Sequence, residues 1–330
     1  MNMPHKIAVI PGDGIGPEVV AAEIKVLKAT GLPFELTEYE AGDDCLARTG
    51  AALPDATLAG ARAAQAVIFG AAGDTAADVI LRLRAELGTY VNLRPTTAMP
   101  GVMCLNDKTD VVIVRENSEC LYAGIENVIA PGVITAVRVI TEQAESKIAR
   151  FALEYAQRTG RKKVTAVHKA NVLRKTDGLF LDCCREAAKE IPSVEYEEAL
   201  VDSVAMRMIM DPTQFDVIVT TNLFGDILSD LAAGLVGGLG MCPSANLGDD
   251  HALFEPVHGT APDIAGQGKA NPSAAIMCGA MLLRHLGENE LAEKVDNALK
   301  ICLNSGETTP DLGGTLSTTE MADAVIKRMS

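Results

Sequence analysis

Five short apolar runs punctuate the chain: Ile7–Ile10, Ala66–Phe69, Val111–Val114, Val164–Val167 and Val217–Val219. Each is continuous rather than alternating, the pattern of strands covered on both faces in a parallel sheet. Helical periodicity lies between many of them, for example at Glu18–Ala29, Glu142–Arg158 and Leu179–Glu190. Strands alternating with helices predict α/β architecture. Polar and glycine residues gather just after the runs, as in Pro11-Gly12-Asp13-Gly14, Arg115-Glu116-Asn117 and His168-Lys169-Ala170-Asn171. Open α/β sheets bind ligands at that edge.

The pattern breaks at Pro95–Gly101 and at the Gly-rich Gly237–Pro243, which are expected to carry the chain between two domains. The ends, 1–98 and 243–330, form one domain in this reading, and 99–242 the other. Residues 123–139 are β-branched around Pro131-Gly132 and predict a hairpin arm that projects toward a partner subunit.

A net charge of -15 over 330 residues argues against nucleic acid or anionic membrane as partner. No stretch is long and apolar enough to span a bilayer, and Ile7–Ile10 is too short for a secretory signal. The eight cysteines include no C-x-x-C pair, so a reducing cytoplasm is expected.

The run Val217–Val219 leads into Thr220-Thr221-Asn222-Leu223-Phe224-Gly225-Asp226-Ile227-Leu228-Ser229-Asp230, with a helix expected from Asp226 to about Leu235. Asp226 and Asp230, four apart, then share a face and suit a hard divalent cation. The same two acids also suit a dipole-favoured first turn and a solvated face. Asp202, after Ala199-Leu200-Val201, is a third candidate carboxylate. Gly12-Asp13-Gly14-Ile15-Gly16-Pro17 opens a helix after a strand, but its glycine spacing departs from the dinucleotide-fold G-x-G-x-x-G. Arg84, Arg94 and Arg115 are candidates for a carboxylate site, although each alone also suits a surface ion pair. Lys169 and Tyr122 are candidates for proton transfer, against an exposed lysine and a packed phenol. The segment Phe254–Gly266, rich in Pro, Gly, His and acids, reads as a binding loop.

Together these motifs, with Thr309-Pro310-Asp311-Leu312-Gly313-Gly314, resemble the β-decarboxylating dehydrogenases, the 3-isopropylmalate, isocitrate and homoisocitrate dehydrogenases, over nearly the whole chain. The archaeal-type isopropylmalate members are the most similar. The resemblance implies a two-domain α/β fold distinct from the Rossmann fold, with a sheet continuous or adjoining across the domains. The end domain would bind NAD, and the middle one would carry dimerisation, metal and substrate. It implies a homodimer with shared active sites, or a tetramer built from it. It assigns Arg84, Arg94 and Arg115 to the malate carboxylates, Tyr122 to proton donation and Lys169, reaching in from the neighbouring subunit, to the base. Asp202 (also the neighbour's), Asp226 and Asp230 would hold Mg2+ or Mn2+. Asn171 would meet the nicotinamide end, and Glu255, His258, Gly259, Thr260, Ala261, Pro262, Asp263, Ile264 and Asn271 the remainder of the cofactor. An acid at Asp263 favours NAD, since it accepts from a ribose hydroxyl and repels a 2'-phosphate.

Members differ in the C3 substituent of the substrate, which the segment before Arg84 is expected to read. Ile80, four before Arg84, and Leu81, three before, are apolar and suit an isopropyl or methyl group. Arg82 argues the other way if it turns inward, toward homoisocitrate or isocitrate. A non-catalytic regulatory subunit and a generic nucleotide-binding module are the non-enzyme alternatives. The first conflicts with retention of the full Tyr, Lys and Asp set, and the second leaves the carboxylates and arginines unexplained.

Overall fold

The computed structural model describes residues 3–329, which divide into two compact units. One comprises 3–89, 98–107 and 236–329, the other 90–97 and 108–235. The chain thus crosses near 89, 97, 107 and 235, where the sequence pattern predicted crossings at Pro95–Gly101 and Gly237–Pro243.

In the first unit the strand order is Phe34–Glu38, His5–Gly12, Ala66–Ala71, Ala252–Pro256, Pro243–Leu247. The first four run parallel, and Pro243–Leu247 is antiparallel to its neighbour. Every residue of Ala66–Ala71 is buried, which explains its unbroken apolar run. Ala8, Ile10, Val67 and Phe69 enter one apolar cluster with Leu58, Val79, Leu83 and Leu253. Helix Gly16–Ala29 begins with proline in its first turn and packs against Ser273–His285 and Thr318–Arg328.

In the second unit the order is Val91–Thr97, Asp110–Glu116, Val217–Thr220, Lys163–His168, Glu195–Leu200. Val91–Thr97 is antiparallel to Asp110–Glu116, and the rest are parallel. Helix Glu142–Thr159 starts on Thr141, whose side chain accepts from the Ala144 N–H, and stops at left-handed Gly160. Residues Cys120–Ala130 and Val133–Val139 form a separate two-stranded hairpin around Pro131-Gly132. Its Val128, Ile129 and Ile134 are exposed apolar residues.

Two local predictions need correction. The helix after Thr220 runs Asn222–Leu235, so it starts a turn before Asp226. Gly225 there looks like a loop residue, but its N–H closes the first turn on the Thr221 carbonyl at 2.9 Å. The segment before Arg84 is a π turn, Ala77–Leu81, continued as Arg82–Glu86 in α geometry, rather than one regular helix. Among the described residues no helix is long and apolar enough to cross a membrane.

Candidate active site

The polar chemistry of the second unit collects at the C-terminal ends of its parallel strands. Arg115, the penultimate residue of strand Asp110–Glu116, is only 1% exposed. Arg115 lies along the first turn of Asn222–Leu235 because residue 225 is glycine: a Cβ there would stand 2.5 Å from the Arg115 Cγ. The guanidinium donates to Asn222 Oδ1 from Nε at 3.0 Å and from Nη2 at 2.8 Å, and from Nη1 to Asp226. The Asn222 amide in turn donates to the Glu119 carbonyl at 3.1 Å.

Arg94 comes from the antiparallel strand Val91–Thr97 and is also buried. Its Nε donates to Asn92 Oδ1 at 2.5 Å and its Nη1 to Ser229 Oγ at 2.6 Å. The same Nη1 stands 3.5 Å from Asp226 and 3.7 Å from Asp230, so both acids occupy one face of the helix as their spacing predicted. Tyr122, at the base of the hairpin, donates to the other Asp226 oxygen at 2.6 Å and lies under Arg115, 5.0 Å from ring centroid to guanidinium carbon. Burial and the Asp226 hydrogen bond raise the Tyr122 pKa, keeping the phenol protonated.

Asp226 and Asp230 offer oxygen donors only, the set a hard divalent cation selects. Burial raises the Asp230 pKa, and the Asp226 charge adds to it against Arg94. A cation beside both carboxylates would relieve that crowding, so the pair fits Mg2+ or Mn2+. Among the described residues no group of three or more His, Cys, Asp or Glu gathers as a metal set. Asp202 lies in the first turn of helix Val201–Met210 and accepts from Lys169 Nζ at 2.5 Å, which lowers its pKa. Lys169 follows Lys163–His168 as predicted, with its side chain 27% exposed. Asn171, two residues on, is exposed.

In the first unit Arg84 is buried and donates from Nη2 to Glu255 at 2.7 Å, and Asn246 donates to the same oxygen at 2.7 Å. Ile80 and Leu81 are partly exposed, whereas Arg82 turns outward, 3.7 Å from Asp55. The loop Val257–Gly266 packs on the Gly12–Gly16 turn, where the Ile15 N–H donates to the Thr260 carbonyl at 2.9 Å. Gly14 permits this approach: its Cβ would fall 2.2 Å from that oxygen. His258 Nε2 is buried without a hydrogen-bond partner, and burial lowers the His258 pKa. A neutral imidazole with an unsatisfied nitrogen fits a ligand that supplies a polar atom, as a nucleotide does. Gly259, Pro262 and Asp263 are exposed nearby. Ala261 has φ +39, and Ile264 packs toward Ile15 and Val19. Asn271 is buried, donating to Asp311 at 3.1 Å and accepting from the Ser273 N–H at 2.9 Å.

Residues 6–325 match the family model described as isocitrate/isopropylmalate dehydrogenase. The chain belongs to the isocitrate/isopropylmalate dehydrogenase family. It is 57% identical to the 3-isopropylmalate dehydrogenase of Archaeoglobus fulgidus, over 97% of this chain and 98% of that one. It is 56% identical to the 3-isopropylmalate/3-methylmalate dehydrogenase of Methanocaldococcus jannaschii, over 98% and 99% of the two chains. The isocitrate/homoisocitrate dehydrogenase of Thermus thermophilus is 48% identical, over 99% of each. Among solved structures, isocitrate dehydrogenase from Methylococcus capsulatus superposes with a TM-score of 0.95 at 46% identity, covering 98% of this chain and 99% of that one. The fold is therefore that of isocitrate dehydrogenase-type structures and not a Rossmann arrangement, and the chain is an oxidoreductase.

Three residues of the Thr220–Asp230 segment carry roles that its sequence did not mark. Asn222 and Ser229 orient the two arginines, and Gly225 admits one of them. Helical spacing shows Asn222, Asp226, Ser229 and Asp230 on one side, and that is the signal that could have found the two polar partners.

Proposed function

We propose that this chain catalyses the NAD-dependent oxidative decarboxylation of 3-isopropylmalate to 2-oxoisocaproate in leucine biosynthesis, with 3-methylmalate as a side substrate. The observation that carries the substrate choice lies before Arg84. Ile80 and Leu81 are apolar and partly exposed, while Arg82 faces Asp55. No cation stands at 80 or 81 to receive a third carboxylate, and burying one against these side chains would be costly. The names of the Archaeoglobus and Methanocaldococcus relatives support the same choice. The rival, homoisocitrate or isocitrate, is supported by the name of the Thermus relative at lower identity.

In this reading Arg94 and Arg115, with Arg84, hold the malate carboxylates by planar two-pronged contacts. Lys169, as the neutral amine, takes the proton of the C2 hydroxyl and becomes the ammonium, with Asp202 2.5 Å from its nitrogen. Tyr122 gives a proton to the carbon left by the departing carboxylate. When bound, NAD would accept the hydride, and a divalent cation held by Asp226, Asp230 and the neighbour's Asp202 would stabilise negative charge on oxygen. Asn171 and residues 255–264 with Asn271 hold the cofactor, and the carboxylate of Asp263 selects NAD over NADP. Domain 1–98 with 243–330 carries that cofactor; 99–242 carries the substrate, metal and dimer surfaces. A homodimer, alone or paired into a tetramer, supplies Lys169 and Asp202 across its interface, with the exposed apolar hairpin as arm. Free cysteines, of which only Cys104 is not buried among those described, suit a cytoplasmic setting.

The test is stoichiometric. Purified protein with 3-isopropylmalate, NAD+ and Mg2+ is expected to form one NADH per CO2 released. NADH formation that survives chelation, or in the Asp226→Ala variant, contradicts the reading, and so does its absence in the wild type.

A further inference from the structure

Arg138 has no part in the chemistry above, yet its guanidinium ties three segments together. Arg138 stands on the returning strand of the hairpin and is largely buried, its side chain being 12% exposed. Its Nε donates to Cys120 Sγ at 3.2 Å, on the opposite hairpin strand. Its Nη1 donates to Thr176 Oγ1 at 3.1 Å and to Asp177, in the first turn of helix Thr176–Glu190. Its Nη2 donates to Thr221 Oγ1 at 2.8 Å, beside the start of Asn222–Leu235, and the group lies over the Phe224 ring.

Two of those partners lead directly to the reacting groups. Asp177 is fully buried, and its second oxygen accepts the backbone N–H of Lys169 at 2.5 Å. Cys120, two residues before Tyr122, is fully buried with φ +76, a left-handed conformation that a non-glycine residue keeps only when its surroundings over-determine it. The Arg138 bond to its sulfur is part of that constraint. A single guanidinium therefore joins the strand that carries Tyr122 to the backbone that carries Lys169.

We propose that Arg138 and Asp177 form a positioning clamp, which fixes the Lys169 backbone relative to the hairpin base and so sets the reach of the lysine toward the substrate hydroxyl. This rests on the assignment of Lys169 as base. A flexible four-carbon stem places its nitrogen well only if its root is fixed, and proton transfer needs that placement to within a hydrogen bond. Only arginine, with a planar fork of five donors, can satisfy Cys120, Thr176, Asp177 and Thr221 together; a lysine ammonium keeps the charge but not the span. In a dimer with shared sites, Lys169 and Tyr122 of one chain serve different sites, and the clamp would then couple the geometry of the two.

The experiment compares wild type, Arg138→Lys and Thr221→Val, with circular dichroism and thermal melting as fold controls. Arg138→Lys keeps a cation opposite Asp177, while Thr221→Val removes one hydroxyl and leaves the ion pair. Expected is a fall in kcat of about tenfold to a hundredfold in Arg138→Lys, with both KM values within about threefold. Thr221→Val should lose a smaller part of kcat, about threefold, again without a matching KM change. A folded Arg138→Lys with kcat within about twofold of wild type overturns the clamp, and so does a loss in which KM rises in step with kcat loss and melting temperature. If Arg138→Lys fails to fold, Thr221→Val decides alone, and an unchanged kcat overturns the proposal. A wild type inert toward every 2-hydroxy dicarboxylate overturns the functional reading and the clamp with it, whereas an active wild type with unmoved variants overturns the clamp alone.

Discussion

The Tyr122 hydroxyl donates a 2.6 Å hydrogen bond to the Asp226 carboxylate. The proposed proton donor thus leans on a proposed metal ligand, and burial together with that bond raises its pKa, so that it is protonated throughout the neutral range. Tyr122→Phe leaves the ring over which Arg115 lies and removes only the proton. Turnover should fall by about 10²- to 10⁴-fold, as for loss of a general acid, with the melting temperature nearly unchanged. Stopped-flow NADH formation and CO2 release together check this; an unimpaired steady-state rate would remove Tyr122 from the mechanism.

Gly225 makes room for Arg115. A methyl group there would stand 2.5 Å from the Arg115 Cγ and 2.7 Å from its Cβ. Arg115 is fully buried and cannot swing into water. Gly225→Ala should therefore cost about 1–3 kcal/mol of stability by overpacking, and it should lower kcat/KM further because the guanidinium is displaced from Asn222 and Asp226. Urea unfolding beside steady-state kinetics measures both. A stable variant with wild-type kcat/KM would contradict the placement of Arg115.

This part of the site also shows what the sequence made legible. The five continuous apolar runs are all strands, and the acids at 226 and 230 do share a helix face, because burial on both sides of a sheet and the 3.6-residue repeat act on local sequence. Strands such as Val91–Thr97 and Pro243–Leu247 were not legible. They hold buried Asn92, Arg94, Ser244 and Asn246, polar side chains that interrupt any apolar run, and the Arg94 partner Ser229 lies 135 residues away. The start of the helix at Asn222 was hidden by Gly225, which lowers local helix propensity and whose missing Cβ leaves room for Arg115. Arg138 and Asp177 are 39 residues apart and carried no local signal at all.

Glu145 should make stability fall with rising pH. It is fully buried, both carboxylate oxygens lack a hydrogen-bond partner, and burial, then the charges of Glu116 and Glu119, push its pKa from 4.5 up to about 9. The native state thus holds a proton that the unfolded chain releases above 4.5. There is no penalty below that value, and it grows as pH rises toward the folded pKa, reaching on the order of 3 kcal/mol at pH 7. Glu145→Gln keeps the shape of the neutral carboxyl and removes the titration. Its melting temperature should decline less than that of wild type between about pH 5 and pH 8. Parallel curves for the two proteins would contradict a neutral Glu145.

Arg84 and Glu255 form a buried pair, each side chain 9% exposed, at 2.7 Å. Arg84→Ala leaves the carboxylate buried with Asn246 as its remaining hydrogen-bonding side chain, and it should destabilise the protein by about 3–5 kcal/mol. Adding Glu255→Gln should recover part of that loss, because the stranded charge is gone. A double variant less stable than Arg84→Ala would show that the pair is not the source of the effect.

The central proposal is that the apolar side chains of Ile80 and Leu81, before Arg84, select the substrate of a metal-dependent NAD enzyme. Its most direct test is kcat/KM for 3-isopropylmalate, 3-methylmalate, homoisocitrate and isocitrate, each with NAD+ and with NADP+, in Mg2+. The account predicts the highest value for 3-isopropylmalate with NAD+, a lower but measurable one for 3-methylmalate, and little reaction with the tricarboxylates. A higher kcat/KM with homoisocitrate or isocitrate would contradict it.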